Sequence, residues 1–215
     1  LFYTYGSAFS AAYREQFEPH HAVVDLEKIL SLVNDEQRAF SLYHMGDDAS
    51  DKLRLKIYRR DNIIPLSDCL PMLENLGLKV IEEFPYNLTE GTPGWIHDFL
   101  LHDPQGSSGD NLEALKQPVE DGLAAICRGI SDDDGFNALI LRAGLNWVQV
   151  NVLRAYGRYL RQLGLPFSQD YVEDCLVHHG AIAARLFDLF EARFDPQGPS
   201  AKGSSKAAMK ICEEI

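Results

Sequence analysis

The sequence predicts an α+β protein: a four-stranded antiparallel sheet carrying two helices on one face, followed by an all-helical module. Three observations predict it. Between residues 38 and 129 the apolar residues recur with the period of strands and then of helices, in the order strand, strand, helix, strand, strand, helix. Turn-forming residues join the first strand to the second, and the third to the fourth, closely enough for hairpins. From Gly129 onward no strand pattern persists, and helix start and stop signals follow one another.

Residues 8–17 and 22–32 predict two lead-in helices separated at Pro19, the second amphipathic through Val23, Val24, Leu26, Ile29 and Leu30. Arg38 to Met45 predicts a short strand, and the turn from Gly46 to Asp51 leads into a second at Lys52. There Leu53, Leu55 and Ile57 alternate with Lys52, Arg54, Lys56 and Tyr58, which predicts one buried face and one solvated face. Pro65 and Ser67 are start signals for a helix with Leu66, Leu70, Leu73 and Leu76 at helical spacing, and Gly77 supplies the left-handed residue that ends it. With Ser67 as cap, Pro71 stands where the first intrahelical N–H should be, so a distorted first turn is expected. In the third strand Val80, Glu82 and Phe84 oppose Ile81, Glu83 and Pro85, a mixture that predicts partial exposure or an edge. Trp95 to His102 alternates as the fourth. Asp110 can then cap a helix over 111–128 that faces inward through Leu112, Leu115, Val119, Leu123 and Ile126.

In the helical module Ser131 is the expected cap, with Asp132 to Asp134 at the positive end of a helix from Gly135 to Ala143. Asn146 caps the next, Trp147 to Leu163, which shows Val150, Leu153, Tyr156 and Leu160 on one face and a basic stripe of Arg154, Arg158 and Arg161 on another. The stripe reads as a solvated face first and as packing against an acidic neighbouring domain second. Ser168 opens Gln169 to His179, and a last helix after Gly180 carries Ile182, Leu186, Leu189 and Phe190. The expected organisation is a helical lead-in over 1–37, the α+β domain over 38–129, the helical module over 130–195 and a Gly/Ser/Lys linker over 196–215.

With 215 residues and 46% hydrophobic content the chain can bury a real core. A net charge of −12 without a strong basic patch speaks against nucleic acid as a partner. No run of about 18 apolar residues offers a membrane span, no charged leader precedes an apolar stretch, and the chain reads as cytosolic. Cys69, Cys127, Cys175 and Cys212 stand far apart and are expected as reduced thiols. Asp132 to Asp134 lack the alternation and the distal glutamate of a calcium loop, and no two of the seven histidines share a metal-ligand spacing. Neither G-x-G-x-x-G nor G-x-x-x-x-G-K-[ST] occurs, so catalytic, cofactor-binding and metal-binding residues are each expected to be none.

Read as strings, Lys52 to Leu88, WIHDFLL at Trp95 to Leu101, the run from Asp132 to Tyr171, and LFEARFDP at Leu189 to Pro196 resemble the regulatory half of the large bacterial NAD-specific glutamate dehydrogenases. Ala11 to Ile29 is similar as well, so the resemblance covers roughly residues 8–197. It implies a parent chain that oxidatively deaminates L-glutamate to 2-oxoglutarate and ammonium with NAD, and that carries its catalytic domain C-terminal to this segment. This segment is expected to be inactive alone and to serve as a regulatory or architectural part. Its implied partners are the catalytic domain of the same chain and further copies in a homo-oligomer. The element order is that of an ACT regulatory domain with its last strand moved to the front, a permuted ACT-like sheet. In ACT domains small effectors, often amino acids, sit near the loop after the first strand, which maps the candidate effector residues to Arg59, Arg60, Asp61 and Asn62. That loop contains no glycine through which a backbone could approach a ligand. The alternative reading is a stand-alone ACT-like amino-acid-binding or scaffold module.

Overall fold

A computed structural model describes residues 8–34, 37–46, 48–60, 62–88, 94–106, 111–195 and 211–212. The chain divides into two compact units, Leu1–Asp133 and Asp134–Ile215. In the first, α1 (Ala11–Gln16) and α2 (Pro19–Ser31) precede β1 (Ala39–Tyr43), β2 (Lys52–Arg60), α3 (Leu66–Asn75), β3 (Lys79–Leu88), β4 (Gly94–His102) and α4 (Leu112–Cys127). All pairings are antiparallel in the order β1-β2-β4-β3, so both expected hairpins form and β2 joins them through β4. β3 is an edge strand, as its mixed composition predicts.

The sheet's faces follow from alternation. Phe40, Leu42, Leu53, Leu55, Ile57, Phe99 and Leu101 lie on one side by register, and all are buried. Helices α3 and α4 cover that side and touch each other where Cys127 Sγ meets Met72 Sδ at 3.8 Å. The other side was expected to face water. It is instead covered by the lead-in helices: Phe9, Tyr13, Phe17, Leu26 and Ile29 form a cluster with Tyr58, Tyr86, Leu88 and Ile96. Lys56 and Tyr58 are therefore buried. A single strand's alternation shows that its two faces differ, but not that another element covers the second.

Several local expectations change for similar reasons. Pro19 opens α2 rather than separating two helices, since its missing N–H costs nothing at a first helical position. On α2 the buried residues are Asp25, Leu26 and Ile29, while Val23, Val24 and Leu30 stay exposed. α3 starts at Leu66 with Pro65 as its cap, so Ser67 is not the capping residue and Pro71 lies a full turn inside. The inner face of α3 is Cys69, Met72, Leu73 and Leu76, with Leu66 exposed. Gly77, at φ 83°, closes α3 through the paired bonds of Gly77 N–H to Glu74 and Leu78 N–H to Leu73. The expected alternation of β3 is reset at a bulge between Val80 and Glu82, which leaves Ile81 exposed. The proposed cap Asp110 lies outside the described residues.

The second unit holds a 3₁₀ turn (Gly135–Ala138), then α5 (Leu139–Ala143), α6 (Trp147–Gln162), α7 (Gln169–His178) and α8 (Gly180–Phe194). The expected helix from Gly135 thus splits in two, and Asp134 rather than Ser131 occupies its cap position. Asn146 caps α6 with Gln149 as a reciprocal capping box, and Ser168 caps α7 through Tyr171 N–H. The basic stripe on α6 does not survive folding. Arg154 is 2% exposed and grips Asp134 through Nε and Nη2 at 2.9–3.0 Å, with Asn137 at 2.7 Å. Only a planar fork fits such a site, so Arg154 is a structural clamp. Arg158 and Arg161 remain on the exposed side.

Candidate functional site

The densest chemistry lies between α1, α2 and the sheet. Asp25 occupies a position on α2 where an apolar residue would ordinarily pack, and a carboxylate buried there must be neutralised and hydrogen-bonded. Three side chains meet it. Lys56 Nζ stands 2.6 Å from Oδ2, Tyr13 OH donates to the same oxygen at 2.5 Å, and Tyr58 OH donates to Oδ1 at 2.8 Å. The side chains of Lys56 and Asp25 are each 3% exposed. The ammonium also lies 3.7 Å from the centre of the Phe17 ring, a cation–π contact in a site without water access.

Lys56 is directly opposite Asp98 across the β2–β4 ladder. Asp98 is fully buried and accepts from Tyr43 OH at 2.8 Å, while Arg54 Nη1 approaches its other oxygen only to 4.0 Å. Arg54 is held instead by Asp48, at 2.8 and 3.1 Å. Burial pushes the Asp98 carboxyl up to about 6, against the opposing pull of Tyr43, Lys56 and Arg54. Burial likewise drives the phenols of Tyr13, Tyr43 and Tyr58 far above their ordinary range, with Asp25 or Asp98 adding to the effect. These hydroxyls are permanent donors. The cluster can hold charge and fix α1 and α2 onto the sheet, and its carboxylates, Asp25 and Asp98, are at most 2% exposed.

The expected effector residues lie at the end of β2 and in the loop after it. Arg60 Nη1 reaches back to the Leu32 carbonyl at 3.0 Å, and its Nε is buried without a hydrogen bond. Arg59 Nη1 meets the Ile63 carbonyl at 3.4 Å, Asn62 N–H bonds the Arg60 carbonyl at 2.7 Å, and Asp61 lies outside the described residues. The structure therefore sends Arg59 and Arg60 in different directions rather than bringing them together on one point. A second tie comes from β4. His97 Nε2 accepts Ile64 N–H at 3.1 Å, so Nδ1 carries the proton and donates to Glu83 at 2.8 Å. Burial lowers the His97 pKa, opposed by Glu83, which favours this neutral tautomer.

Sequence reasoning missed Asp25, Lys56, Asp98 and His97. One signal was legible: Asp25 sits between Ala22, Leu26 and Ile29 on the helix face that packs, a polar residue in an apolar stripe.

The turn from β2 into α3 does not suit a dinucleotide phosphate. The first turn of α3 carries Asp68, whose charge opposes a phosphate at a helix N-terminus. Among the described residues no group of three or more His, Cys, Asp and Glu side chains could hold a metal, and no helix is long and apolar enough to cross a membrane.

Three family models match in chain order. Residues 1–32 match the glutamate dehydrogenase helical motif 2, residues 37–114 the glutamate dehydrogenase ACT3 domain, and residues 131–196 the glutamate dehydrogenase helical motif 3. The chain belongs to the glutamate dehydrogenase family. It is similar to the NAD-specific glutamate dehydrogenases of Halomonas elongata (44% identity over 190 residues, 88% of this chain) and Pseudomonas aeruginosa (43% over 188, 86%). The NAD-specific glutamate dehydrogenase of Mycobacterium tuberculosis is 37% identical over 217 residues, covering 98% of this chain. The chain spans only 12–13% of the length of these relatives. In glutamate dehydrogenase terms, the buried Lys56–Asp25 cluster joins the helical motif 2 region to the ACT3 sheet, and the Arg154–Asp134 clamp lies within helical motif 3.

Proposed function

We propose that this segment is a non-catalytic, regulatory and architectural part of an NAD-dependent glutamate dehydrogenase that acts in the cytosol, holding subunits together or positioning the catalytic domain of the same chain. The observation that carries the reading is the sealing of the sheet. Both faces are capped by the chain's own helices, and the titratable groups best suited to chemistry, Asp25, Lys56 and Asp98, are each at most 2% exposed. A substrate could reach none of them without unfolding α1 and α2. Parent catalysis would then be oxidative deamination of L-glutamate with NAD, using residues outside this segment.

Effector sensing at Arg59, Arg60, Asp61 and Asn62 is the finer alternative. It is disfavoured by the commitment of Arg60 to Leu32 and of Ile64 to His97. Glutamate-dependent NADH formation measured on the 215-residue chain tests the main reading: no turnover is expected, and turnover above background refutes it. A reading frame that stopped just after Ile215 would refute the parent-enzyme claim. Calorimetry with a panel of amino acids tests sensing, for which heat and a raised melting temperature would be needed.

A further inference from the structure

β1 and β3 are the two edges of the sheet, and an edge strand offers unpaired N–H and C=O groups to any other strand. On β1 those groups are already taken. Leu42 N–H donates to Glu120 Oε1 at 3.0 Å, so its single donor points away from β2. The Phe40 carbonyl, two residues back on the same side of the strand, accepts Lys28 Nζ at 2.8 Å. The same ammonium meets Glu120 Oε2 at 3.0 Å, which completes a bridge over the open side of β1. Lys28 belongs to α2 and Glu120 to α4, so the bridge joins the helices on opposite faces around the margin of the sheet. β3 is guarded differently, by the bulge between Val80 and Glu82 and by Pro85, which has no N–H to donate.

We propose that the Lys28–Glu120 pair is a strap that shuts β1 to strand addition, and that the occupant it excludes is β1 of a second copy of this chain, paired antiparallel. The backbone groups under the strap are self-complementary. A two-fold axis through Ser41 would set Phe40 opposite Leu42 of the second copy, so that each Leu42 N–H would meet the other copy's Phe40 carbonyl. Those are the two groups that Lys28 and Glu120 satisfy. Nothing else in β1 opposes such pairing. Its five residues, AFSLY, include no proline and no charge, and their register with β2 runs without a bulge. The strap is also accessible to solvent, since the Lys28 side chain is 34% exposed, unlike the sealed Lys56–Asp25 pair. The inference is independent of what the parent chain catalyses.

Residue-resolved amide exchange and sedimentation velocity on the 215-residue chain supply the test. In the unaltered chain the Leu42 amide should exchange roughly tenfold more slowly than the Phe40 amide, which faces the same open side, at every protein concentration. Lys28→Ala/Glu120→Ala should self-associate at least about tenfold more tightly than the unaltered chain. Raising the concentration of that variant should slow exchange at both Phe40 and Leu42, a signature that non-specific sticking does not produce. Glu120→Gln, whose amide oxygen can still accept Leu42 N–H, should associate no more than the unaltered chain. Equal association of the double variant and the unaltered chain, or association that leaves Phe40 exchange unchanged, would each overturn the proposal. So would equal exchange at Phe40 and Leu42 in the unaltered chain, a result that needs no substitution and stands even if the double variant fails to fold.

Discussion

Lys56→Met separates charge from packing in the cluster beneath α1 and α2. Methionine matches the length of the lysine stem, so the packing of the stem is largely kept while the ammonium, and with it the cation–π contact on Phe17, is removed. Asp25 then keeps its bonds from Tyr13 and Tyr58 but loses the cation 2.6 Å away, in a site where both side chains are 3% exposed. Removing one partner of a buried pair costs about 3–5 kcal/mol, and the two surviving tyrosine bonds place this case near 3 kcal/mol. For a unit of this size that is a fall in melting temperature of roughly 10 °C. Asp25→Asn alone strands the ammonium and should cost a similar amount. The double variant buries neither charge and should return to within about 1 kcal/mol of the unaltered chain, so the two losses are strongly non-additive. Urea unfolding of all four proteins at pH 7, followed by tyrosine fluorescence and circular dichroism, measures the cycle. Single losses below about 1 kcal/mol, or a double loss equal to their sum, would refute the view that this is a sealed, mutually dependent pair.

Three further outcomes follow from named contacts. The folded-state pKa of His97 is lowered, so the stability from its neutral form is full above the unfolded value near 6.5 and is lost as pH falls below it. Amide exchange at Ile64 should therefore accelerate on acidification relative to distant sheet amides, and His97→Gln, which can accept from Ile64 and donate to Glu83, should abolish that acceleration; unchanged Ile64 protection down to pH 5 would contradict the assignment. Asp98 has the opposite sign: its folded pKa is raised to about 6 from 3.8, so its contribution is largest below the unfolded value and falls as pH rises through 6. Asp98→Asn should remove that fall, worth up to about 3 kcal/mol at pH 7, and urea midpoints at pH 4.5 and 7 read it directly; an unaltered pH dependence would count against a titrating Asp98. Finally, a Cβ at Gly180 would collide with the Arg142 carbonyl, a backbone atom that cannot swing aside. Gly180→Ala should selectively destabilise the helical unit by at least about 2 kcal/mol, seen as early loss of helical dichroism while the sheet unit melts as before; a melting curve identical to the unaltered chain would show that α8 shifts freely.

Much of the fold was legible because local signals were strong. The four strands, both hairpins, the caps at Asn146 and Ser168 and the glycine stop after α3 follow from residues within a few positions of each other. Where expectation failed, a distant element had changed the environment. Lys56 and Tyr58 read as solvated because nothing in β2 tells that α1 and α2 will cover them. Arg154 read as part of an exposed stripe because its partner Asp134 lies outside its helix. Ser67 read as a cap because serine favours that role, yet the packing of Cys69, Met72 and Leu73 starts α3 earlier and leaves Pro71 inside it.

The candidate site divides the same way. The sequence alone determined the α+β order, the family resemblance and the place of Arg59 to Asn62 after a strand, since periodicity and turn chemistry are local properties. Tertiary structure alone decided that Asp25, Lys56 and Asp98 converge and that Arg59 and Arg60 part. The reason is that burial and strand register set the cost of a charge. A lysine in water needs no partner, whereas one covered by two helices is stable only beside a carboxylate held in place by the rest of the fold.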